Sequence, residues 1–192
     1  MSKDLQDYEA VSVYFLNDTD REGLLSEARE CVFNWSTKDG WPVGVVMSCL
    51  WREGRLWATA GAHRHRISAV RRDPRVSFVV TSTGTKLGPG RTVTAKARCI
   101  IHEDRDTKDW FYPAFSSHLF PDPAQAEPFC KMLDSPLRVV LELVPEKFIT
   151  YDGTKMARDT AGKLGDDEKG PRLSADTERL QREIERRGLA KG

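Results

Sequence analysis

The sequence predicts a mainly β protein of the α+β class, in which about six strands form an antiparallel barrel with short flanking helices. Three observations favour this fold over a parallel, doubly wound sheet. Turn signals at Asp39-Gly40 and Glu53-Gly54 join strand-like segments as hairpins. Residues 91–103 alternate apolar and polar side chains, as a long half-buried strand does. Long helical crossovers, which parallel strands require, are scarce.

The first half of the chain supplies most of the predicted strands. A helix is predicted over 19–30, since Thr19 and Glu22 have capping-box spacing ahead of an apolar stripe. The two turn signals then divide residues 31–61 into three strands. A short helix follows over 65–74, with Ile67 and Val70 as apolar anchors and Pro74 as its stop.

The second half alternates strands and helices before its composition changes. Strands are predicted over 75–82 and 91–103, separated by a Gly/Pro loop, and a helix is predicted over 104–120. The last strands are "LRVVLELV" and "KFITYDG". We therefore predict a barrel domain over 1–153, and a polar linker with a C-terminal charged helix over 154–192.

Composition excludes several classes of function. The formal net charge is +1, so bulk electrostatics favour neither nucleic acid nor a membrane surface as a partner. None of the four cysteines forms a C-x-x-C pair, and the pair His63 and His65 lacks a third metal ligand nearby. The N-terminal residues do not resemble a signal peptide, and no apolar run suits a membrane span. We expect a reduced, cytoplasmic protein without a metal.

A basic cluster between Arg64 and Arg75 is the main candidate for binding chemistry. Arg66 stands at the start of the predicted short helix, where free N–H groups favour an anion such as phosphate. Thr59 and Gly61, just upstream, would supply a hydroxyl donor and a close backbone approach. The alternative is a solvated basic helix face, and composition alone leaves both open.

Other candidate sites carry less chemistry. The loop "TSTGTKLGPG" offers hydroxyls and Lys86 to a phosphate, but it lacks the P-loop pattern and is equally typical of a hairpin loop. No serine lies in a nucleophile elbow, and His102 and His118 are isolated. We therefore predict no catalytic residue. The tryptophans of the first three strands are expected to pack in the core or in a dimer interface.

The order of motifs between residues 39 and 101 resembles the pyridoxamine 5'-phosphate oxidase-like family, the FMN-binding split β-barrel. The motifs that carry the resemblance are Asp39-Gly40 with Pro42, Val43 to Ser48, Glu53-Gly54-Arg55-Leu56, Thr59, Arg66, Arg72-Asp73-Pro74 and Val93 to Ile101. The resemblance implies a six-stranded antiparallel split β-barrel and a homodimer with two flavin sites at the subunit interface.

The resemblance also implies a set of flavin-binding residues. By position in the motifs, Val45, Val46, Met47 and Ser48 match the strand along the flavin ring, and Thr92 matches a polar position near it. Ala58 and Thr59 match the strand that contacts the phosphoribityl chain, while His65 and Arg66 match the basic pair on the phosphate. The short basic alternation around Arg66 would then be a phosphate-binding site.

Several departures from the family pattern argue against vitamin B6 as the substrate. Leu50 and Val45 replace a lysine and an arginine of the true oxidases, and their C-terminal R-x-H motif is absent. We therefore predict an FMN-binding oxidoreductase that transfers hydride or electrons between the flavin and an unidentified small molecule. Two alternatives stay open: the same fold with a deazaflavin coenzyme, and a non-catalytic flavin-binding or stress-sensing module.

Overall fold

The structure, a computed structural model, describes residues 11–189. Within this range the chain divides into two compact units. One comprises residues 17–150, and the other comprises residues 11–16 together with 151–189.

The larger unit contains the sheet and four helices. Its helices are α1 (Asp18–Glu27), α2 (His65–Arg72), α3 (Arg105–Leu119) and α4 (Pro123–Leu133). Its strands are β1 (Glu30–Ser36), β2 (Pro42–Ser48), β3 (Leu50–Arg52), β4 (Arg55–Gly61), β5 (Arg75–Thr81), β6 (Arg91–His102) and β7 (Arg138–Asp152), the last of which runs on into the smaller unit.

The strands form one sheet in the order β2-β1-β5-β6-β7-β4-β3, curled into a half-barrel. Neighbouring strands pair in antiparallel fashion, with β1 between β2 and β5 and with β4 between β3 and β7. This architecture confirms the predicted antiparallel, α+β split-barrel class. Seven strands occur where about six are predicted. The boundaries also differ at two places, which offset each other in number: a break at Cys49 separates β2 from β3, and the two last predicted strands form the single strand β7.

The core lies on the inner face of the sheet, where alternate residues are buried. Phe33 and Phe78 are cross-strand partners on β1 and β5, and both are completely buried. Leu24 and Leu25 of α1 are also completely buried. Each such side chain contributes about 1.5–3 kcal/mol through burial, which fixes the strand register because a one-residue slip would expose the whole face.

Helices α3 and α4 form a second apolar cluster beside the sheet. Phe111, Phe115 and Leu133 are buried there together with Leu50 and Val140. Helix α3 continues through Pro113 to Leu119. Helix α4 was not predicted, although Asp122 caps it by accepting the Ala124 N–H and is followed by proline at the first helical position.

The smaller unit is made of two segments, the residues before α1 and the residues from the end of β7 onward. Where the sequence predicts a linker, the structure has the helix α5 (Gly153–Thr160), because the Asp152 carboxylate caps its first N–H groups. Tyr14 donates its hydroxyl to Asp159 over 2.6 Å, and Lys169 lies 2.8 Å from the same carboxylate. Helix α6 (Ser174–Arg186) follows and buries no residue. Among residues 11–189, no helix is both long enough and apolar enough to span a bilayer.

Candidate cofactor site

A cavity of about 220 Å³ lies beside β2, β4 and the start of α2. Five predicted site residues line it: Val46, Met47, Ser48, Thr59 and Arg66. Its remaining lining consists of Phe115 from α3, Phe129, Met132 and Leu133 from α4, and Arg138 from β7. The fold therefore brings three groups of predicted residues to one cavity: the C-terminal end of the ring strand, one residue of the phosphoribityl strand and one phosphate residue.

Local packing explains why Arg66 reaches this cavity. Gly61 ends β4, and its carbonyl accepts the Arg64 N–H over 3.0 Å, which turns the chain into α2. Ile67 and Val70 are buried and anchor one face of α2. Arg66 lies in the first turn of the helix, is only half-buried and lines the cavity.

The cavity has an uncompensated positive charge. The Nε atoms of Arg66 and Arg138 are buried, and neither finds a hydrogen-bond partner within residues 11–189. No carboxylate from this part of the chain lines the cavity. Burial lowers the pKa of Arg66, and the nearby charge of Arg64 lowers it further. An anion in the cavity would relieve both effects and satisfy the donors.

Three other arginines of the basic cluster have partners elsewhere. Arg71 forms an ion pair with Glu103 at 2.6 Å, and Arg75 forms one with Asp73 at 2.7 Å. Arg72 donates to the Ser36 carbonyl over 2.6 Å. These three side chains are exposed, as expected for a solvated helix face. Among the arginines of the cluster, Arg66 is the one that lines the cavity.

Comparison with known proteins identifies the family. The family model described as pyridoxamine 5'-phosphate oxidase matches residues 23–152. The chain belongs to this family. No curated protein matches it.

Solved structures share the fold of this family member at low sequence identity. A conserved hypothetical protein from Mycobacterium tuberculosis is 19% identical, with a TM-score of 0.65, over 76% of this chain and 91% of that chain. An FAD-binding protein from Mesorhizobium loti is 21% identical, with a TM-score of 0.52, over 70% and 94% of the two chains. An F420 reductase is 20% identical, with a TM-score of 0.51, over 66% and 94%.

The hydroxyl group of Thr59 already donates a hydrogen bond within the sheet. It donates to the Val139 carbonyl over 2.8 Å, because β4 pairs with β7 and places Thr59 opposite Val140. The hydroxyl hydrogen is therefore already used, and the Thr59 oxygen is left only as an acceptor. The prediction that Thr59 supplies a donor to an anion stays a prediction.

Four predicted site residues do not line the cavity. Val45 lies opposite Phe33 of β1. Ala58 is completely buried behind Thr59. His65 is exposed at the first position of α2, and Thr92 lies opposite Thr81 on the neighbouring strand β5. Their predicted flavin contacts stay predictions.

A second, larger cavity lies next to the loop that contains Lys86. Its volume is about 660 Å³, and Glu27 and Glu30 line it together with Arg29 and Lys86. The Lys86 N–H donates to the Glu27 carboxylate over 3.0 Å, and His118 contacts the Ala28 carbonyl at 2.8 Å. Because acids and bases are mixed here, this cavity suits a phosphate less well than the cavity at Arg66.

Metal chemistry finds no support in the described part of the chain. Between residues 11 and 189, no three His, Cys, Asp or Glu side chains come together as metal ligands would. Cys31, Cys49 and Cys99 are buried free thiols. Burial raises the pKa of Cys99 to about 12, which keeps this thiol protonated and unreactive.

Proposed function

We propose that this protein binds FMN at the cavity beside Arg66 and acts as an oxidoreductase, passing hydride or electrons between the flavin and a small molecule. One observation carries the proposal. The residue predicted to contact the flavin phosphate, Arg66, lines the same cavity as the predicted ring strand, Val46 to Ser48.

The residues present fit a phosphate group. Two arginines reach the cavity with buried, unpartnered Nε atoms, and the N-terminus of α2 has no side-chain cap. Guanidinium groups bind phosphate oxygens with geometric specificity, and a helix N-terminus favours negative charge. Arg66 would hold the phosphate, and Ser48 would contribute a hydroxyl.

The size of the cavity supports the proposed homodimer. About 220 Å³ is less than the roughly 300–1,000 Å³ typical of small-molecule pockets, so one chain would enclose only part of a flavin. Apolar side chains next to the cavity are exposed: Val46 by 65% and Met132 by 57%. A second copy of the chain would cover these side chains and complete the site.

When bound, the flavin would supply the redox chemistry, and the protein would bind and orient it. The ionisable side chains lining the cavity within the described chain are arginines, which do not exchange protons near neutral pH. We therefore assign no catalytic acid or base. A non-catalytic flavin-binding module is the second candidate function.

A deazaflavin coenzyme is the third candidate, because an F420 reductase shares the fold. Both kinds of coenzyme carry a phosphate on the chain attached to the ring, so a positive charge at Arg66 would attract either of them. The ring would separate them, since FMN gives a yellow protein whose reduced form reacts with oxygen.

The test is an absorbance spectrum of the purified protein, followed by mass identification of any released coenzyme and by titration with FMN. Binding of FMN supports the proposal, and exclusive binding of a deazaflavin supports the alternative coenzyme. Reduction by nicotinamide cofactors with turnover of an acceptor would distinguish an enzyme from a binding module. Light scattering with and without FMN tests the homodimer.

A further inference from the structure

The side chain of Arg138 has an environment that neither the family motifs nor the sequence predicts. It begins β7, directly after the exposed Leu137, and it lines the cavity with its Nε atom buried and unpartnered within residues 11–189. The nearby carboxylate of Asp134 is 2.6 Å from Arg105 and is committed to that ion pair. Arg138 is thus a second cation at the cavity without a partner in the described chain.

Strand pairing holds Arg138 close to the start of α2. Arg138 lies opposite Gly61, the last residue of β4, and the Ala62 N–H donates to the Leu137 carbonyl over 2.6 Å. Arg66 follows a few residues later, on the helix that this turn begins. Arg66 and Arg138 therefore line one cavity from two elements that backbone hydrogen bonds hold together.

We infer that Arg138 is a second phosphate-binding residue, and that with Arg66 it makes the cavity selective for a phosphate monoester. The inference rests on the proposed flavin function and extends it. A monoester carries a charge of about −1.5 to −2 near pH 7 and three free acceptor oxygens. A phosphodiester carries a single charge and two such oxygens. Two guanidinium groups match the monoester in charge and in number of donors.

This inference predicts an order of affinity among natural flavins. FMN ends in a monoester, the phosphates of FAD are bridged, and riboflavin has no phosphate. FMN should therefore bind more tightly than FAD, and riboflavin should bind weakly. Because the ring and the ribityl chain are common to all three flavins, differences in their affinity report on the phosphate end.

The experiment measures the Kd of FMN, FAD and riboflavin for the full chain, with competition against FMN for the weak ligands. The variants are Arg138→Ala, Arg138→Lys and the control Arg75→Ala. Arg75 also begins a strand, but it is exposed and paired with Asp73. Arg138→Ala should weaken FMN by about tenfold or more and change riboflavin by less than about twofold. Arg138→Lys should restore part of the difference, and Arg75→Ala should have no effect.

The outcomes separate this inference from the proposed function. Equal losses for FMN and riboflavin would make Arg138 a structural residue and overturn the inference. Unchanged FMN affinity in Arg138→Ala, with a loss in Arg66→Ala, would also overturn it but leave the proposed FMN site intact. Failure of the wild-type protein to bind any flavin would overturn both. If Arg138→Ala does not fold, the ratio of FMN to riboflavin affinity in Arg138→Lys decides.

Discussion

Replacing Arg66 with alanine removes one guanidinium from the candidate phosphate site. A hydrogen bond to a charged group contributes about 1.5–3 kcal/mol, so the Kd for FMN should rise by about 10- to 150-fold. The Nε of Arg66 is buried without a partner, and its pKa is lowered by burial and by Arg64. The side chain therefore adds little to the stability of the unliganded fold, and the free energy of unfolding should change by less than about 1 kcal/mol.

Fluorescence or absorbance titration with FMN gives the affinity, and denaturant unfolding without ligand gives the stability. Arg71→Ala is the matched control, since Arg71 lies on the same helix but is exposed and paired with Glu103. It should leave FMN affinity unchanged. Unchanged affinity in Arg66→Ala, or equal losses in both variants, would refute the assignment of Arg66 to the phosphate.

Three further perturbations probe the fold and the smaller unit. Phe78→Ala should lower the free energy of unfolding by about 3–5 kcal/mol, because Phe78 is completely buried; a loss below 1 kcal/mol in urea denaturation would contradict its core position. Truncation after Gly170 removes α6, which buries no residue, and should leave the Kd for FMN unchanged; loss of FMN binding would show that α6 contributes to the site. Lys169 and Tyr14 hold the pKa of Asp159 below its usual range. The Asp159 carboxylate therefore stabilises the fold at pH values above its unfolded-state pKa, which is near 4. This contribution is lost as the pH falls through the lower pKa of the folded state. Asp159→Asn should therefore be less stable than wild type at pH 6, with a smaller difference at pH 3, and an equal difference at both pH values would contradict the pairing.

The sequence predicts the fold class well because local signals agree with one another. The two turn signals place the first hairpins, and alternation over residues 91–103 corresponds to β6. Helix α4 was missed although Asp122 and Pro123 signal its start, because a short segment between two predicted elements shows no clear apolar period. The helix α5 was missed because its residues are polar and it depends on the cap at Asp152.

The candidate site is only partly predictable, for a physical reason. Arg66 and the residues of β2 and β4 lie close together in sequence, so motifs can relate them to one another. Arg138 joins them only through the pairing of β4 with β7, which is distant along the chain. The hydrogen bond of Thr59 to Val139 depends on the same pairing. The sequence offers one weak signal for Arg138 as a site residue, namely a basic residue at the first position of an apolar strand late in the chain.

A crystal structure of the protein with FMN would show directly whether the cavity beside Arg66 binds the phosphate end of a flavin. We expect phosphate oxygens within about 2.7–3.2 Å of guanidinium nitrogens of Arg66. A phosphate bound elsewhere, with the Arg66 side chain directed into solvent, would rule out this site.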